Sequence, residues 1–151
     1  MDADRPDDPP GATELRIDKT MAVGAAVATV FEVLVSEESV EQWMTAEVIL
    51  DPVVAGEVRV AAQGFPTVVG EVVEIDPPRL LSFVWGAADW SGPLRTTVDL
   101  RREGDQTLLR LVETGFGDDA ELERTRSYLW SHWLIRLAAT VSQGRRRRRA
   151  P

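Results

Sequence analysis

Hydrophobic and polar positions alternate early in the chain. Leu15, Ile17, Lys19 and Met21 stand against Arg16, Asp18 and Thr20, the period-2 pattern of a strand. Residues 25–34 follow, with Val27, Val30, Phe31 and Leu34 at the spacing of one buried helix face. Ser36 is placed to cap a second short helix with acids in its first turn, ending near Trp43. Six runs bounded by turn residues then predict strands over 47–50, 57–61, 67–75, 80–85, 94–102 and 107–114. The last two form a hairpin across Glu103-Gly104-Asp105-Gln106. Asp118, with Glu121 three residues on, predicts the start of a final helix. Its stripe is Leu122, Arg126, Leu129, Trp133, Leu137 and Val141, widened by Trp130 and Leu134, and Gly144 is the expected stop. Such a helix is ~36 Å long.

One strand, two short helices, six strands and a long helix make an α+β arrangement of antiparallel sheet and helix layers. One helix cannot cover so wide a sheet, so the space between them is the expected pocket. Phe83 and Trp85 share a strand face with Leu81. Val98 points inward from the hairpin. On the last strand Leu109, Leu111 and Glu113 share a face, so the inward leucines carry a carboxylate inward with them. A buried carboxylate is costly unless it is paired. Glu113 is therefore a candidate general base or polar anchor, or the partner of an arginine such as Arg126. Trp90 lies in the polar loop 86–92, a candidate lid or rim.

Composition narrows the chemistry. The chain of 151 residues has no cysteine and one histidine, His132, which falls off the buried stripe. Thiolate sites and multi-histidine metal sites are excluded, and no metal or cofactor is expected. No Gly-x-Ser-x-Gly, Gly-x-Gly-x-x-Gly or phosphate-loop motif occurs. Residues 1–13 are acidic and proline-rich and predict a disordered tail. Residues 144–151, with Arg145 to Arg149, predict a second disordered tail. The net charge is −8, but residues 14–143 alone carry 21 acids against 11 bases. This acidic body disfavours nucleic acid as a partner. No run approaches a membrane-spanning length, and no leader pattern is present, so a cytoplasmic protein without membrane contact is expected.

Three motifs resemble one family. Val30-Phe31-Glu32-Val33-Leu34 with Val40-Glu41-Gln42-Trp43 is similar to its opening. Gly70 to Trp85, through Glu74-Ile75-Asp76-Pro77-Pro78-Arg79-Leu80, resembles its centre, and Thr107 to Phe116 resembles its "TxLxLxHxGF" segment, with Glu113 in place of the histidine. This is the START-like (SRPBCC) superfamily, in the bacterial branch related to the C-terminal domain of the heat-shock-ATPase activator Aha. The resemblance runs from about Leu15 to Gln143. It implies a helix-grip fold over 14–143, a curved sheet of six to seven strands around the C-terminal helix. It also implies a small hydrophobic, lipid-like or aromatic ligand in the cavity. The candidate lining is Trp43, Phe65, Leu81, Phe83, Trp85, Trp90, Val98, Leu111, Glu113, Phe116, Trp130, Trp133, Leu134 and Leu137. Alternatives are an activator of a heat-shock ATPase, or a cyclase, dehydratase or hydrolase using Glu113. A monomer or a homodimer is compatible with either.

Overall fold

The structure is a computed structural model that describes residues 14–149, without the side chains of 145–149. The tail expected over 1–13 lies outside the described residues. The first strand, β1, is Ile17–Val23, and two helices follow, α1 (Val27–Val35) and α2 (Glu37–Met44). The remaining strands are β2 (Glu47–Leu50), β3 (Glu57–Ala61), β4 (Val68–Asp76), β5 (Leu80–Gly86), β6 (Leu94–Glu103) and β7 (Gln106–Thr114). The long helix α3 is Ala120–Arg149. All seven strands form one antiparallel sheet in the order β1-β7-β6-β5-β4-β3-β2. Every element follows its predecessor across the sheet except β1, which closes onto β7. The sheet curls around α3, with α1 and α2 packed beside it, and this is the helix-grip fold.

Alternation decides which side faces the helix. One inward row crosses five strands as Ile17, Glu113, Thr96, Phe83 and Val72. All five are buried. On α3 the buried positions are Arg126, Trp130, Trp133, Leu134, Leu137 and Val141, the i, i+4, i+7 stripe of a helix laid on a sheet. Two glycines permit close approaches near this row. A Cβ on Gly70 would lie 2.5 Å from the Cα of Trp85, its pairing partner. Gly115 takes φ +112 at the turn from β7 to α3, where a Cβ would meet the Pro93 carbonyl oxygen at 2.7 Å.

Three local expectations are corrected. Ser36 precedes α2 but makes no side-chain cap bond. The cap of α3 is Asp119 rather than Asp118, since its Oδ1 accepts from the Leu122 amide at 3.1 Å. Gly144 does not end α3, which continues to Arg149. Arginine is a good helix former, and cations at a helix C-terminus complement the macrodipole, so the arginine run extends the helix. No described helix is long and apolar enough to cross a membrane.

Candidate functional site

Two features share the space between sheet and helix. The first is a buried ion pair. Glu113, fully buried near the end of β7, accepts Nε of Arg126 at 2.9 Å on Oε1 and Nη2 at 2.9 Å on Oε2. Oε2 also accepts the Trp130 indole N–H at 3.0 Å and the Thr96 hydroxyl. The Thr96 hydroxyl in turn accepts the Trp85 indole N–H at 2.9 Å. One carboxylate thus ties β5, β6 and β7 to α3.

Arg126 is only 3% exposed, and its guanidinium is walled by aromatic faces. Its Cζ lies 4.9 Å from the ring centres of both Trp85 and Trp90, 5.5 Å from Trp133 and 5.9 Å from Trp130. Cation–π attraction offsets part of the cost of burying the cation. Trp43 completes the array, 6.2 Å from Trp130 and 6.5 Å from Trp133. All five tryptophans of the chain therefore form one cluster.

The second feature is an apolar cavity of about 20 Å³. It lies between Leu81, Phe83, Trp85, Val98 and Trp130 on one side and the α1–α2–β2–β3 flank on the other. Its lining has no charged residue. The three indole N–H groups in the wall are bonded outward, Trp85 to Thr96, Trp130 to Glu113 and Trp43 to the Val33 carbonyl at 3.3 Å. A volume of this size holds about one water-sized group.

Of the residues expected to line the cavity, Trp43, Leu81, Phe83, Trp85, Val98 and Trp130 do so. Leu111, Phe116, Trp133, Leu134 and Leu137 are buried core that does not reach it. Glu113 is inward but belongs to the ion pair, and Trp90 covers Arg126 instead of the cavity. Phe65 is 70% exposed, because it sits in the β3–β4 loop between Gly64 and Pro66, beyond the end of the sheet. Sequence reasoning missed the opposite wall, Leu34, Val40, Met44, Val48, Leu50, Val58 and Val60. The alternation of Val48 with Leu50 and of Val58 with Val60 carried that signal. As a base, Glu113 is poorly placed, since its oxygens already accept four hydrogen bonds and it does not face the cavity.

A family model described as activator of Hsp90 ATPase homolog 1-like protein matches residues 24–142. The chain belongs to this family. A comparison with curated proteins by sequence found no match. Among solved structures, protein MLL2253 from Mesorhizobium loti is 17% identical with a TM-score of 0.80, over 85% of this chain and 97% of that one. CalU16 from Micromonospora echinospora is 23% identical with a TM-score of 0.70, over 87% and 79%. The Aha1 dimer from Colwellia psychrerythraea is 15% identical with a TM-score of 0.75, over 83% and 95%. At these identities the structural likeness establishes the fold that this activator-like family shares.

Proposed function

We propose that this activator-like chain binds a small apolar molecule between the sheet and α3. The observation that carries this reading is the wall itself, in which thirteen side chains present no charge and the indole N–H groups are bonded elsewhere. Such a site selects by shape and apolar area, not by hydrogen bonds. The space is about 20 Å³, so a ligand enters by moving a wall. The flank that yields is α2 with β2. That strand is an edge of four residues paired only to β3. Its amides reach α2 through long bonds, Val48 to Glu41 at 3.4 Å and Leu50 to Glu37 at 3.5 Å. Bonds of this length contribute little.

Three tryptophans in the wall report occupancy. Titration with long-chain fatty acids, alkanols and naphthalene is expected to shift tryptophan emission saturably. Val58→Leu, which adds about one methylene group to a space that holds about one water-sized group, is expected to weaken the response while near-UV circular dichroism confirms a folded chain. Flat emission from the unmodified chain across the panel would overturn the reading.

The family match favours a second reading, stimulation of a heat-shock ATPase. Adding the chain to an Hsp90-type ATPase would then raise ATP turnover, and an unchanged rate at saturating chain would remove this reading.

A further inference from the structure

We propose that Arg126, beneath Trp90, is a second binding site, which takes the carbonyl oxygen of a flat, uncharged aromatic ketone. A guanidinium is planar and carries five N–H donors on three nitrogens. Glu113 takes one edge of it, the fork made by Nε and Nη2. The other fork, made by Nη1 and the second N–H of Nη2, donates to no described residue. It is buried all the same, since the Arg126 side chain is 4% exposed. Buried donors without an acceptor are rare and costly. The indole faces around the cation attract its charge, but a ring face accepts a hydrogen bond only weakly. The free fork points to an oxygen that the chain itself does not supply.

The surroundings select what carries that oxygen. Four indole rings stand around the guanidinium, with Trp85 and Trp90 nearest at 4.9 Å. Walls of this kind stack a flat ring. Charge selects against an anion. Glu113 already supplies the counter-charge. Asp89 adjoins Trp90, and Asp118, Asp119, Glu121 and Glu123 stand at the start of α3. A carboxylate would meet these acids, whereas a neutral carbonyl does not. Trp90 is the ring that gives way. Trp85 belongs to β5, and Trp130 and Trp133 belong to α3, but Trp90 is half-buried in the loop between β5 and β6. Its indole N–H has no partner among the described residues, while those of Trp85 and Trp130 are bonded. Arg126, Trp90 and Trp133 do not line the apolar cavity, so this site stands apart from it.

Three probes separate these choices. 1-Tetralone carries such a carbonyl, tetralin has the same skeleton without it, and 1-naphthoate carries a carboxylate. In titrations followed by the indole N–H resonances, 1-tetralone is expected to shift that of Trp90 with at least about tenfold higher affinity than tetralin. 1-Naphthoate is expected to bind more weakly than 1-tetralone. Arg126→Lys keeps the charge and loses the fork, and it should bring 1-tetralone down to the tetralin level. The double variant Arg126→Leu with Glu113→Leu makes the same test without leaving an unpaired charge, and near-UV circular dichroism establishes that each variant is folded. Saturating 1-octanol should leave the affinity for 1-tetralone unchanged, and displacement by it would place the ketone in the apolar cavity and overturn the proposal. Equal affinity for 1-tetralone and tetralin would overturn it too, as would ketone binding indifferent to the loss of Arg126 or 1-naphthoate binding tighter than the ketone.

Discussion

The two halves of the space under the helix are built on opposite principles. On the β6–β7 side, the two buried charges are matched. The carboxylate of Glu113 accepts four hydrogen bonds, and the Arg126 guanidinium is held between tryptophan faces. On the β2–β3 side the wall is aliphatic, its boundary is a four-residue edge strand, and a void remains. Directional bonds specify one geometry, whereas apolar contact tolerates many arrangements of similar energy. The first half therefore holds α3 in place, and the second half is free to adapt its shape.

The largest expected effect breaks the rigid half. Arg126→Leu leaves Glu113 buried without its counter-charge and should cost about 3–5 kcal/mol in urea unfolding. Adding Glu113→Leu to the same chain should recover part of that loss, because no unpaired charge then remains. If Arg126→Leu costs no more than a surface substitution, the contrast between the halves fails. Next in size is Leu50→Ala, on β2 in the adaptable half. It should cost about 2–5 kcal/mol, at the low end if the flank closes over the space. A cost matching or exceeding that of Arg126→Leu would show this half to be as rigid as the other.

The smallest effect lies outside both halves, on the outer face of the sheet. Asp18 accepts two hydrogen bonds from Arg110, at 3.0 and 2.7 Å. That bonding, against an opposing effect of burial and with the charges of Arg110 and Arg16, holds the Asp18 carboxyl below its ordinary value of 3.8. A carboxyl with a lowered folded-state pKa stabilises the fold above its unfolded value and ceases to do so as pH falls through the folded one. The Asp18→Asn variant should therefore differ slightly from the parent chain in stability at pH 6. That difference should vanish near pH 2 and shrink in high salt, since the pair is exposed. A difference that persists at pH 2 would show that Asp18 acts through something other than its charge.

The sequence was most legible where one periodicity governed a whole element. The inward placement of Glu113 followed from counting by twos along β7 between Leu109 and Leu111. The buried face of α3 followed from its 3.6-residue stripe, and all seven strands lie close to where turn residues bounded them. The site was legible in part. Leu81, Phe83, Trp85, Val98, Trp43 and Trp130 come together as expected, while the aliphatic wall on β2 and β3 was overlooked because valines in short strands carry no chemical mark. Phe65 was misjudged because an aromatic residue suggests a pocket, yet a loop between glycine and proline holds it in solvent.

Local pattern and chain order by themselves determined the α+β arrangement, the seven strands and the carboxylate on the apolar face. Those properties depend on neighbours within a few residues, and periodicity records them directly. Only the tertiary structure decided that Arg126, thirteen residues from Glu113, is its partner, that Trp90 closes over that arginine, and that the cavity lies on the far side of Trp130. It also decided that α3 runs through Gly144. The pairing, the lid and the cavity depend on how a curled sheet meets a helix, and the distances that govern charge, stacking and packing there join residues far apart along the chain.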